Sequence, residues 1–257
     1  MNMGAKLPIW ARGMFAALVA LGGIGCGARS ELWTPEPEAR DCEPLRVGFF
    51  GNPGAYDTLQ FQQWLTIGGA VVTRVQTAPD EAVALEALEP FDVVVLDWLV
   101  RDYSAEEAAT LAEWVAAGNG LISMTGWNND ILNDWRPNSL LAPLGVAYSG
   151  PLISGPVTEF EAHPITEGLE SVVFEGGYAI SEVEGGSGAR TPIAFLAPGG
   201  GAQVVVGYAI EAGSGRAFVW GDEWIEFLTT DEPFQPRVWV QAFGWVAPGR
   251  CTLLASE

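Results

Sequence analysis

Few residues in this chain could do chemistry, and they are widely spread. The single histidine, His163, could act as a general base or a metal ligand, and the adjacent Asp222 and Glu223 could act as acid and base. Neighbouring residues at a strand end point in different directions, so the pair reads first as turn carboxylates. Zinc needs three or four clustered nitrogen or sulfur ligands, which one histidine and cysteines at 26, 42 and 251 do not supply. Calcium asks only for oxygens. Asn128, Asn129, Asp130, Asn133 and Asp134 offer several, but not at the spacing of a calcium loop, and they read as a solvated loop. No Gly-x-Ser-x-Gly elbow precedes a helix, so a Ser/His/Asp hydrolase has no nucleophile here. No metal and no cofactor is expected. The aromatic count is the better lead: among 11 tryptophans, Trp98, Trp127, Trp135 and Trp224 fall at or near strand ends beside Asn, Asp and Glu. Flat faces flanked by polar groups suit a neutral, hydroxyl-rich ligand, although core packing accounts for tryptophans equally well.

The elements that must position these residues alternate between strand and helix. Leu45 to Phe50, Ala70 to Val75, Phe91 to Leu96 and Gly120 to Met124 are apolar runs of strand length. Between them, helical spacing runs through Leu59, Trp64 and Leu65, then through Val83, Leu85 and Leu88. A third helix follows the capping box of Ser104 with Glu107. Strands apolar on both faces, separated by helices, predict a parallel sheet covered on each side. The second half is richer in β signals. Short strands are expected at 146–148, 172–174, 193–196, 203–208 and 217–220, with a hairpin tip at Gly199-Gly200-Gly201 and a closing helix from Pro236 to Val246. Ligands of open α/β sheets bind beyond the carboxyl ends of the strands. That rule selects Tyr56 after the first strand, Asp97 and Trp98 after the third, Thr125 and Trp127 after the fourth, and Asp222, Glu223 and Trp224 after the last.

The first forty residues speak to location. Lys6 and Arg12, then an apolar run from Met14 to Leu21, then small residues up to Cys26, have the form of an export signal, too short to span a membrane as a helix. Ile24-Gly25-Cys26 resembles the end of a bacterial lipobox, although Gly23 stands where that pattern prefers leucine; it implies cleavage before Cys26 and acylation of that cysteine. Gly27, in place of the aspartate linked to inner-membrane retention, points to the outer membrane. Residues 27–44, with Pro35, Glu36, Pro37 and Glu38, have no apolar period and read as a tether, so that the folded domain spans 45–257. Losing residues 1–25 removes both Lys6 and Arg12 and no acid, which takes the formal charge from −20 to −22. Such a surface repels nucleic acid and anionic lipid, leaving the acyl anchor as the membrane contact and a glycan or envelope protein as the partner. Cys42 and Cys251, at the two ends of the domain in an oxidising compartment, are either a disulfide or two buried thiols. The oligomeric state is not legible.

The stretch from Phe91 to Asp97, with Tyr103-Ser104-Ala105-Glu106-Glu107 opening a helix and Ala117-Gly118-Asn119-Gly120-Leu121-Ile122 following it, resembles the class I glutamine amidotransferase-like superfamily. His163-Pro164-Ile165-Thr166 with Gly168-Leu169 is similar to a turn of its trehalose-utilisation, ThuA-like members. The resemblance covers about residues 45–247 and implies a flavodoxin-like three-layer fold, with extra hairpins in the second half. Active members place a nucleophilic cysteine on the turn after the strand that corresponds to 120–124; this chain has Met124-Thr125-Gly126 there. The resemblance therefore implies a non-catalytic binding domain. An enzyme acting on glycans or sugars, with His163, Asp222 and Glu223 as acid/base residues, is the alternative.

Overall fold

Runs of Val, Leu, Ile and Phe with no polar position have no face to give to water, and here each becomes a strand in the middle of the molecule. The computed structural model describes residues 42–51, 56–75, 82–97, 99, 101–126, 135–223, 234–251 and 253. In chain order the elements are β1 (Arg46–Phe50), α1 (Tyr56–Ile67), β2 (Val71–Val75), α2 (Leu85–Leu88), β3 (Val93–Leu96), α3 (Ala105–Ala116), β4 (Gly120–Met124), α4 (Pro137–Leu141), β5 (Val146–Val157), β6 (Glu159–Phe160), β7 (Val172–Glu182), β8 (Ala189–Leu196), β9 (Val204–Ala212), β10 (Gly215–Trp220) and α5 (Phe234–Val246). One sheet of eight strands has the order β2-β1-β3-β4-β10-β9-β8-β6. Its first five strands are parallel, and β9, β8 and β6 extend it antiparallel.

The sheet separates two cores. On one face Phe61 and Leu65 of α1 and Trp239 and Phe243 of α5 pack on Phe49, Val95, Ile122 and Phe218. On the other, Leu111, Trp114 and Val115 of α3 pack on Val94, Leu121 and Val219. This is the helix-covered parallel sheet expected from the strand–helix alternation, in the flavodoxin-like, three-layer arrangement that the resemblance implies. The turn of Pro198–Gly200 joins β8 to β9, where the glycine-rich hairpin tip is expected.

The second half differs in extent. β5 and β7 are 12 and 11 residues long, where the sequence predicts strands of three, and among the described residues they pair only with each other, as a two-stranded ribbon. Gly150, Pro151, Gly155 and Pro156 break the apolar alternation of β5, and Gly176-Gly177 breaks that of β7, so the period-2 signal fades although the ladder persists through two register shifts. The ribbon also changes sides. Val157, Val172 and Phe174 belong to the core under α1 and α5, whereas Tyr148, Tyr178 and Ile180 belong to the core under α3. It therefore crosses the carboxyl ends of the parallel strands.

Two charged clusters pin the ends of this frame. At the amino-terminal side, Asp92, 7% exposed, accepts from the Arg46 backbone N–H (2.9 Å) and Nη2 (2.7 Å) and pairs with Arg250 Nη2 (2.7 Å). Burial would raise the Asp92 carboxyl, but the Arg46 hydrogen bonds and the Arg250 charge outweigh it and hold it below its usual range. Beside it, Cys42 and Cys251 form a disulfide, with Cα atoms 5.4 Å apart.

At the start of α3, the Ser104–Glu107 capping box forms as the sequence predicts. Glu107 also accepts from Arg101 Nη2 (2.6 Å), Arg101 Nη1 (3.0 Å) and the Val83 N–H (2.8 Å), tying the chain before α2 to α3. The Arg101 bonds lead in holding its carboxyl at about 2, with burial opposing them. A pKa depressed on folding adds stability that is complete above the unfolded value near 4.5 and is lost as the pH falls towards about 2. We expect this carboxylate to contribute on the order of 2 kcal/mol at neutral pH. Urea unfolding of Glu107→Gln should therefore show a deficit at pH 7 that closes by about pH 2; a deficit independent of pH would contradict this.

Candidate functional site

The carboxyl ends of β1, β3, β4 and β10 form a rim with a polar floor. Asp97, directly after β3, is 1% exposed, and its backbone N–H donates to Phe50 O (3.1 Å) at the end of β1. Arg74 of β2 reaches the same crevice and donates from Nη1 to Gly51 O (3.0 Å). Burial lowers the Arg74 pKa, and the negative charge of Asp97 opposes that shift. This is where the strand order turns, with β2 on one side of β1 and β3 on the other.

Below β4, Tyr148 OH donates to Trp220 O (3.2 Å), so the hydroxyl of Ser123, 2.9 Å from the phenol oxygen, is the donor in that pair. Burial pushes the Tyr148 phenol well up, against the Ser123 hydrogen bond and with the help of Asp97, so Tyr148 stays protonated. Asn138 of α4 holds Tyr148 in place by bonding both its N–H (2.7 Å) and its carbonyl (2.9 Å).

Above β4 and β10 the ribbon closes down. Tyr178 N–H donates to Gly221 O (2.8 Å), and Glu175 N–H donates to Asp222 Oδ2 (2.6 Å). A Cβ on Gly126 would lie 2.7 Å from Glu223 Cγ and 3.0 Å from Gly176 O, while one on Gly177 would overlap Gly221 O. Only glycines allow backbones to approach this closely. Thr125, at the foot of this crossing, is 5% exposed and Asp222 is 1% exposed. Trp135 meets the Tyr178 ring edge-on at 6.1 Å and stays 45% exposed.

Of the residues selected from sequence, Asp97, Thr125, Asp222 and Glu223 stand together at this rim. Trp98, Trp127, Trp224, the Tyr56 side chain, the Asn128–Asp134 loop and Cys26 lie outside the described residues. His163 lies elsewhere. It lines a crevice of about 440 Å³ with Thr191, Glu211, Arg216 and Trp245. Arg216 lies at the start of β10, second after Gly215, and Asp222 follows its end, about 20 Å away at about 3.3 Å per residue. The structure thus does not bring His163 to Asp222 and Glu223. The His163 Nδ1 accepts the Ile165 N–H (3.2 Å), its ring meets Trp245 edge-on at 4.8 Å, and burial lowers its pKa, so the ring is neutral at pH 7 with its proton on Nε2. Among the described residues no three His, Cys, Asp or Glu cluster as metal ligands.

Sequence reasoning missed Arg74, Ser123 and Tyr148, which sit inside strands with nothing local to mark them. The Gly176-Gly177 pair did carry a signal: glycines inside a strand pattern mark close backbone approach.

Together, the sheet order and the helices on both faces give a flavodoxin-like α/β fold similar to that of class I glutamine amidotransferase-like proteins. It is similar to the mmIFT52 N-terminal domain (12% identity, TM-score 0.61, covering 81% of this chain and 100% of that one). It is likewise similar to a protein from Bacteroides uniformis described as ThuA-like (16% identity, TM-score 0.56, 82% and 94% covered). A cytoplasmic protein from Salmonella typhimurium shares the fold at 16% identity and a TM-score of 0.53, with 80% and 100% covered. No family model matches the chain. No curated protein matches it in sequence.

Proposed function

We propose that this chain is an exported lipoprotein, anchored through Cys26, whose amidotransferase-like domain binds a ligand or envelope partner at the carboxyl rim of its sheet and does no chemistry there. The observation that carries the reading is the burial of Thr125. On the turn where active members hold a cysteine, this chain has a threonine 5% exposed at the foot of β7. A threonine hydroxyl is a weak nucleophile, far weaker than a cysteine thiolate. The one histidine that could serve it belongs to the crevice beside Arg216. Binding at the rim would fall to Asp97 and its neighbours at the turn between β1 and β3, flanked in sequence by Tyr56, Trp98, Trp127 and Trp224.

The anchor rests on the basic start, the short apolar run and the Ile24-Gly25-Cys26 ending. Mass spectrometry of the protein recovered from its membrane fraction is expected to find residue 26 as an acylated N-terminus, and Cys26→Ala to leave the protein unacylated. An unmodified, soluble wild-type protein would remove the anchor from this account.

A further inference from the structure

The two edges of the large sheet are unlike each other. β6 ends it on one side with two residues, too short to template another strand. β2 ends it on the other with five residues, Val71-Val72-Thr73-Arg74-Val75, without proline, lysine or bulge, and no strand covers its outer side among the described residues. Val71 is 51% exposed, and Ile67, at the end of α1 leading into this strand, is 79% exposed. An uncovered edge with exposed apolar side chains is what natural sheets avoid unless something pairs with it.

The backbone says which groups are open. Val71 N–H donates inward, to Leu45 O (2.8 Å). N–H and C=O directions alternate along a strand, so Val71, Thr73 and Val75 bond towards β1, while Val72 and Arg74 present theirs outward. An antiparallel copy of the same strand, related by a two-fold axis through Thr73, would set Val72 opposite Arg74 on both sides of the axis. Each such pair exchanges two backbone hydrogen bonds, and Thr73 faces its own copy in the close, non-hydrogen-bonded position. Val71 then meets Val75. The sequence is self-complementary in this register.

Charge selects the occupant. A second copy of so acidic a chain is repelled wherever carboxylates face each other. No carboxylate occurs between Asp57 and Asp80, and Arg74 is the one charged residue in that span. The strand and the helix residues leading into it therefore bring no carboxylate to this edge, and two acidic copies can meet on it. We propose that the protein forms a two-fold dimer through β2, joining two eight-stranded sheets edge to edge.

The test is analytical ultracentrifugation of the chain from residue 26, which contains every described residue, carrying Cys26→Ser to remove acylation. The wild-type sequence is expected to dimerise reversibly. Thr73→Glu and Thr73→Lys, exposed changes that leave the bonds to β1 intact, are each expected to weaken the dimer at least about tenfold by placing like charges across the axis. Mixing the two variants is expected to restore it as a heterodimer. A wild-type protein monomeric at all concentrations would overturn the proposal and leave the edge to a strand from another protein. A dimer indifferent to both substitutions would overturn it too, by placing the interface elsewhere.

Discussion

Gly177→Val is expected to cost about 3 kcal/mol or more, enough to leave much of the protein unfolded at moderate temperature. A Cβ at this position would overlap Gly221 O and lie 2.7 Å from both Gly221 C and Phe174 Cζ. Neither side can withdraw freely. Gly221 O accepts the Tyr178 N–H, and Gly221 N–H donates to Val206 O (2.9 Å), so moving that carbonyl breaks the bonds joining the ribbon to β10 and β10's end to β9. Phe174 is itself buried against Trp220, with ring centroids 5.8 Å apart. Gly185→Ala is the matched control. Its φ of 86° disfavours a side chain, but a Cβ there meets nothing within 4 Å, so it should cost only about 1 kcal/mol. Urea midpoints of the two variants measure the difference. Equal midpoints would mean that the ribbon does not press on the rim as described.

Removing the Cys42–Cys251 disulfide is the second large effect. The bridge spans 209 residues of sequence, and closing a loop of that size is worth about 4–5 kcal/mol on the chain-entropy model, with native bridges commonly giving about 2–5. The same seam is held by Cys251 N–H to Glu43 O (3.2 Å), by Arg250 against Glu43 and by both arginines on Asp92, so the fold should survive reduction. For a domain of this size we expect the melting temperature to fall by about 10 °C in reductant. Cys42→Ser with Cys251→Ser should match the reduced wild type and be indifferent to reductant. An unchanged melting temperature would show that the bridge constrains nothing the ion pairs do not already hold.

Much of the parallel half was legible because its signals are local. Buried runs such as Val93–Leu96 have no polar position, and the Ser104–Glu107 box sits within four residues. The ribbon was not legible, because its strands pair residues 15 to 36 positions apart and their glycines and prolines erase alternation. What those glycines do becomes visible only when Gly126, Gly177 and Gly221 meet in space. The site divides the same way. Asp97, Thr125 and Asp222 follow strands and were found by that rule, whereas Arg74 and Tyr148 reach the rim through pairing and ribbon placement. His163 drew attention as the only imidazole, but rarity in sequence says nothing about which end of the sheet a turn will occupy.

If the turn after β4 is closed, a thiol placed there is shielded from reagents in solution. In a Thr125→Cys protein carrying Cys26→Ser, with the disulfide intact, the rate of alkylation by iodoacetamide reports access to this turn. Thr125 is 5% exposed, so labelling is expected to be at least about a hundredfold slower than in the urea-unfolded protein. Labelling at the rate of an exposed thiol would contradict this, since it would mean that a substrate can reach the turn after β4.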